Sequence, residues 1–212
     1  MFLAELWRYP VKSMGGERLT RALLTASGVE GDRAVLVRWP RGRIVTARTR
    51  PALLGLHATT GPDGEPLVDG RPWRDPEIAR RVEAAAGAGA KLEVAAGQPG
   101  RFDVLPLLVM TDGALNAAGY DWRRFRPNLI ISGVEGLAER DWEGRRLRVG
   151  RALLAVADLR ARCVMTTFDP DTQVQDPGVL RRIVEEFDAV LGLNCGVIEG
   201  GAVAEGDPVE LV

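Results

Sequence analysis

Asp158-Leu-Arg160-Ala-Arg162-Cys163-Val-Met-Thr166-Thr167-Phe-Asp169-Pro170-Asp171-Thr172 is the stretch from which the rest of the chain can be read. It begins with strand-like residues and breaks into a polar loop at an Asp-Pro-Asp turn. It carries one of the chain's two cysteines, with arginines one and three positions earlier. A cation beside a thiol favours the thiolate, the form that binds soft metals or transfers sulfur. Strand alternation over Leu159 to Met165 places Arg160 and Arg162 on one face and Ala161 and Cys163 on the other. On that reading the guanidiniums do not touch the thiol, and charge proximity alone does not mark Cys163 as reactive. Cys195, in Leu193-Asn-Cys-Gly-Val, has no charged neighbour and reads as a small core residue.

Outward from this stretch the pattern is β-rich. Phe2 to Tyr9 reads as a strand ended by Pro10, and Ala34 to Trp39 with Arg43 to Ala47 reads as a hairpin. Further strands are predicted at Ala52 to Thr59, Lys91 to Ala95, Leu105 to Met110 and Leu129 to Ser132. Arg146 to Val149, Ala152 to Val156, Asn194 to Val197 and Val209 to Val212 complete the set. Asp141 to Gly144 reads as a hairpin turn. Helices start at two Asp-Pro pairs, where an N-cap meets proline at the first helical position. They run over about Pro76 to Ala86 and Gly178 to Val190. The second has Leu180, Ile183, Val184, Phe187 and Leu191 at helical spacing. A short helix over Gly113 to Ala118 is capped by Thr111-Asp112. The expected fold is β-rich α+β, with many short strands and a few short helices. The small-residue stretch Ala96-Gly97-Gln98-Pro99-Gly100 divides the chain into expected domains at residues 1–97 and 98–212.

Composition narrows the function. The 212 residues are 46% apolar and 27% charged, with a formal net charge of -1. That balance gives no global attraction to nucleic acid or anionic lipid, and neither is expected as a partner. No apolar run approaches the roughly 18 residues of a membrane helix. The N-terminus does not read as a signal peptide, and two cysteines do not make a disulfide framework, so the expected compartment is the cytoplasm. His57 is the only histidine, which excludes sites needing two. It lies in an apolar run and reads as a core residue. No phosphate-cradling Gly-rich motif is present.

Three polar spots fall at strand ends: Lys12-Ser13, Asp32-Arg33, and the basic cluster Arg123-Arg124-Phe125-Arg126-Pro127-Asn128. Each taken alone reads as solvated loop. Brought together they make an anion site, because ammonium, guanidinium and hydroxyl groups all bind phosphate. Asp169, Asp171 and Asp176 have the chemistry for a hard cation, and turn or cap roles explain them equally well.

Tyr9-Pro-Val-Lys-Ser13, Gly31-Asp-Arg33, Val45-Thr-Ala-Arg48 with Pro51, Arg124-Phe-Arg-Pro-Asn128 and the Cys163 stretch occur in the order seen in MOSC proteins. The set resembles the amidoxime-reducing branch of that family across nearly the whole chain. The resemblance implies a MOSC-type β-barrel preceded by an N-terminal β-barrel-like subdomain. It implies molybdenum cofactor (molybdopterin), not pyridoxal phosphate, with Cys163 as both metal ligand and catalytic residue. Lys12, Ser13 and Arg33 would grip the cofactor's phosphate, and Arg126 and Asn128 its phosphate or pterin edge. Arg162 would flank the metal, and Thr111 would favour an anion at a helix start. The implied activity is reduction of N-hydroxylated small molecules, with electrons from a separate donor protein. The alternatives are a non-redox carrier of the cofactor, a sulfur carrier acting through a Cys163 persulfide, or a barrel that has lost its cofactor. Gln173 stands where the family motif often has glycine.

Overall fold

The computed structural model describes residues 1–95 and 97–212; Ala96, at the start of the expected joint, lies outside the described residues. The main feature is an eight-stranded sheet. From one edge to the other its strands are Val209–Leu211, Arg146–Val149, Ala152–Ala161, Val190–Glu199, Leu107–Thr111, Leu129–Ser132, Phe2–Arg8 and Glu17–Leu19. The chain's first strand therefore sits in a sheet built mainly by its second half. All neighbours are antiparallel except Leu107–Thr111 with Leu129–Ser132, and that parallel pair is joined through a helix, as such crossovers require. Three three-stranded sheets accompany it.

The sheet keeps two ends in its ladder, so the expected barrel is not closed by strand pairing. It curls instead. Leu3 N–H donates to Asp207 O at 2.9 Å and Val209 N–H to Met1 O at 3.0 Å, which brings the first strand to the turn before the last. Alternating apolar residues from these strands, among them Leu3, Leu6, Leu107, Leu129, Leu147, Leu154 and Leu193, form one core. A second core gathers Val11, Val35, Val37, Leu53, Ile78 and Val82.

The helices follow their caps. α1 is Pro76–Ala86, with the Asp75 carboxylate accepting from Glu77 N–H at 2.7 Å. α2 is Asp112–Ala118 and α3 is Pro177–Phe187. α3 buries Val179, Ile183 and Phe187, an i, i+4, i+8 face, and leaves Val184 half exposed. It ends three residues earlier than the periodicity predicts, because Asp188 and Ala189 turn left-handed.

Other expectations are corrected. Ala52 to Thr59 is not one strand: Pro51 opens a 3₁₀ turn over Pro51–Gly55, and only Ala58–Thr60 pairs as a strand. His57 falls between them and is exposed, so it is not a core residue. A 3₁₀ turn over Ala138–Trp142 replaces the start of the Asp141 hairpin turn. The predicted strands around Val156 and Leu159 are one strand, Ala152–Ala161, which stops two residues before Cys163. Among the described residues, no helix is long and apolar enough to cross a membrane.

Candidate functional site

Cys163 sits where the sheet ends. Beyond Ala161 the backbone leaves the ladder, and Cys163 caps a single 3₁₀ turn, Val164–Thr167. Its carbonyl oxygen accepts from Thr166 N–H at 3.0 Å and from Thr166 Oγ1 at 2.9 Å, which fixes the turn just after the thiol. The strand also changes register between Leu159 and Ala161. Alternation therefore does not hold across this segment. Arg160, Ala161, Arg162 and Cys163 all line one cleft, contrary to the two-face reading. Cys195 is the other case: it is fully buried in the main core, and burial pushes its thiol up to about 12.

The cleft collects the predicted anion-site residues. Lys12, Ser13, Arg33, Arg126, Asn128 and Arg162 line it together with Cys163. Its cavity volume is about 90 Å³, and residues 101–103 and 105–108 form one of its walls.

The cations are held by different means. Arg33 pairs with the fully buried Asp32 carboxylate, which also accepts from Tyr9 N–H at 2.7 Å. Arg33 and Arg126 both lie over the Tyr9 ring, at 4.7 and 4.3 Å from its centroid. Burial pushes the Tyr9 phenol up to about 12, so it stays a neutral donor to Pro127 O at 3.1 Å. The ring lies so close to the backbone that only glycine fits at 16: a Cβ there would run into it and stand 2.5 Å from Arg8 O. Arg126 is pushed down to about 10 by burial. Arg162 is pushed down to about 9, again by burial, with Arg160 adding to the effect. It donates to Phe125 O and Met110 Sδ, both at 3.2 Å, and its buried Nε has no partner among the described residues. Arg126 and Arg162 are thus both partly buried, and among the described residues neither is bonded to a carboxylate.

Asn128 lines the cleft and also ties neighbouring elements together. Its Oδ1 accepts from Arg33 and from Leu108 N–H, each at 3.2 Å, and its Nδ2 donates to Trp7 O at 3.3 Å. With its amide so engaged, it positions Arg33. Thr111 does not line the cleft; its hydroxyl accepts from Ala114 N–H and donates to buried Glu139, both at 3.1 Å.

Four residues absent from the predicted site belong to it. Asp103 accepts from Lys12 Nζ and from Arg48 at 2.7 Å each, and Arg160 lies 3.6 Å away. Burial works against the charge of Arg48, but the neighbouring Cys163 and Asp103 outweigh it and raise its pKa. Arg124 braces the loop after the cysteine, donating to Thr167 O at 3.2 Å and Asp169 at 3.0 Å. The only advance signal for Arg48 was its place in the Val45-Thr-Ala-Arg48 fragment. The three aspartates read as a possible cation site are engaged otherwise. Asp169 accepts from Thr172 and pairs with Arg124, Asp171 pairs with Arg123, and Asp176 caps α3.

The donor set limits what can bind. Among the described residues, no group of three His, Cys, Asp or Glu side chains is placed to hold a metal. The cleft offers one thiol, Cys163, and one thioether, Met165, beside ammonium and guanidinium groups that suit an anion. A metal here must arrive with most of its ligands already supplied. A phosphate-bearing organic cofactor that carries its own sulfur ligands fits this set, and a bare ion does not.

Comparison with known proteins finds relatives along nearly the whole chain. Residues 1–95 match the MOSC N-terminal beta barrel domain, and residues 111–210 match the MOSC domain. Mitochondrial amidoxime reducing component 2 of Homo sapiens is 26% identical over 279 positions, covering 98% of this chain and 82% of that protein. Mitochondrial amidoxime-reducing component 1 of Homo sapiens is 28% identical over 231 positions, covering 81% of this chain and 67% of that protein. The YUAD protein from Bacillus subtilis superposes with a TM-score of 0.53 at 16% identity, over 99% of this chain and 93% of that one, a likeness of fold. The chain belongs to the MOSC domain family and carries that family's N-terminal barrel domain ahead of the MOSC domain.

Proposed function

We propose that this chain is a molybdenum-cofactor oxidoreductase that reduces N-hydroxylated small molecules, with the Cys163 thiolate as the protein's ligand to the metal. The observation that carries the reading is a single partly exposed thiol in a cleft that gathers Lys12 and six arginines around it. When bound, the cofactor supplies two-electron removal of an oxygen atom, the N-hydroxyl group leaving as water with two protons taken up.

The chain's own residues bind and orient. Lys12 and Arg33 offer charge, and Ser13 a hydroxyl, to a phosphate tail. Ser13 Oγ already accepts from Ala47 N–H at 3.0 Å, so its hydrogen remains available to donate. Asn128 and Asp32 keep Arg33 from swinging away. Arg162 keeps positive charge beside Cys163. Thr166 and Arg124 hold the turn that presents the sulfur. Electrons come from a separate donor protein, and the names of the two human relatives support the choice of substrate class.

The test is metal analysis with turnover. About one molybdenum per chain, lost in Cys163→Ser, together with reduction of an amidoxime by an artificial reductant, is the expected result. Molybdenum-loaded protein that turns over no such substrate refutes the reductase and leaves a cofactor carrier. A mass gain of ~32 Da on Cys163 without metal marks a persulfide and a sulfur carrier instead.

A further inference from the structure

The anion site is already filled by the chain itself. Lys12 is a buried ammonium, and all its hydrogen bonds go to one segment: Gly100 O at 2.9 Å, Arg101 O at 3.2 Å and Asp103 Oδ1 at 2.7 Å. The same carboxylate takes Arg48 at 2.7 Å on its other oxygen, with Arg160 at 3.6 Å. Three cations from three separate parts of the chain converge on one anion. The segment carrying it, residues 97–106, contains turns and bends but no helix or strand. Its next residue, Val104, is 53% exposed. The segment is held by its charges more than by a buried apolar face. Arg101, Phe102, Asp103, Leu105 and Pro106 of this segment form part of the cleft wall, and the cleft's 90 Å³ is well under the roughly 300 Å³ at the low end for small-molecule sites.

We propose that Asp103 is a built-in counter-anion, and that a phosphate-bearing ligand enters only by displacing it and moving residues 97–106 outward. A phosphate offers more acceptor oxygens and more charge than the carboxylate, so it can take over Lys12, Arg48 and Arg160 together. In its absence Asp103 neutralises the cluster. The closed form then lowers apparent affinity by the fraction of molecules that are open. This rests on the anion site alone and not on the metal chemistry proposed above, so either can fail without the other.

The experiment uses the full chain with inorganic phosphate and pyrophosphate as probes. Calorimetric titration compares the native protein with Asp103→Asn, and trypsin cleavage after Arg101 is followed by mass spectrometry. Asp103→Asn is expected to bind pyrophosphate at least about ten-fold tighter. In the native protein, phosphate is expected to speed cleavage after Arg101, the reverse of the protection that ligands usually confer. Affinity unchanged within two-fold overturns the proposal. So does tighter binding by the variant when phosphate leaves cleavage of the native protein unchanged or slower, since lost negative charge alone then explains the gain. If Asp103→Asn does not fold, the cleavage response of the native protein decides by itself.

Discussion

Asp32→Ala is the perturbation that bears most directly on how the site is held. The Asp32 side chain is fully buried, with one oxygen on Tyr9 N–H at 2.7 Å and the other on Arg33. Breaking a buried ion pair from one side costs about 3–5 kcal/mol, because the surviving charge is left without a partner. The Arg33 side chain keeps 15% of its surface in contact with solvent, which relieves part of that cost. Tyr9 N–H loses its acceptor, which adds about 1 kcal/mol or more. The sum is about 4 kcal/mol. For a chain of this size each kcal/mol lowers Tm by about 2–4 °C, so a fall of about 8–16 °C is expected in calorimetric melts. Asp32→Asn keeps an acceptor for Tyr9 N–H and is expected to lose about half as much. The double variant Asp32→Ala with Arg33→Ala is expected to lose less than the sum of its parts, by about 2 kcal/mol. A fall under about 2 °C in Asp32→Ala, or strict additivity in the cycle, refutes the account.

Three further outcomes separate structural roles from binding roles. Thr111→Ala removes the α2 cap and a partner of Glu139, and is expected to lower stability by about 1–2 kcal/mol in denaturant melts. Pyrophosphate affinity should stay within two-fold, whereas a larger loss would return Thr111 to the anion site. Gly16→Ala forces the Tyr9 ring away from the backbone and is expected to cost about 1–3 kcal/mol. It should weaken pyrophosphate binding as well, because Arg33 and Arg126 lose the ring beneath them; unchanged binding counts against the ring as their support. The Asp103 carboxyl lies below its ordinary 3.8: burial opposes the shift, and Lys12 leads the charges that overcome it. A depressed folded-state pKa means that this contribution is complete above about pH 4 and is lost as pH falls below it. Protection of the amides in residues 97–106, corrected for the pH dependence of intrinsic exchange, should therefore fall as pH drops below about 4, and Asp103→Asn should flatten that fall.

Local chemistry was legible in the sequence, and convergence was not. The Asp75-Pro76 and Asp176-Pro177 pairs placed both long helices because cap and proline act within one turn. Lys12, Ser13, Arg33 and Arg126 were recognisable as strand-end groups, and they do line one cleft with Cys163. Asp103 was invisible because its partners Lys12, Arg48 and Arg160 come from distant segments, and nothing in its neighbours sets it apart. The direction of Asn128 was hidden for a related reason. An amide beside a basic cluster looks like a ligand-binding group until Arg33, Leu108 and Trp7 are seen to use both of its ends. The two-face reading of Arg160 to Cys163 failed because alternation applies only while the chain remains in the ladder, which it leaves after Ala161.

The backbone at this cleft carries an argument of its own. Ser13, Arg33 and Arg126 have φ of 72°, 46° and 58°, the left-handed region, and none is glycine. Such a conformation costs a residue with a Cβ roughly 1–2 kcal/mol, which glycine at the same position avoids. The three side chains are held there by Ala47 N–H, by Asp32 and by the Tyr9 ring respectively. All three contacts reach residues far along the chain or fully buried, so they resist relaxation. A left-handed residue ends the local run of the chain and turns its side chain back across it, which is how groups from separate strand ends come to face one space. The same geometry recurs at Gln173, φ 58°, in the loop after Cys163, where Nε2 donates to Asp171 O at 2.8 Å. There the family motif often has glycine, and this chain instead uses the amide to tie the loop together. Strain gathered at the walls of one cleft, and offset by buried anchors, is what a preorganised binding site requires and what a loop serving only as a connection does not.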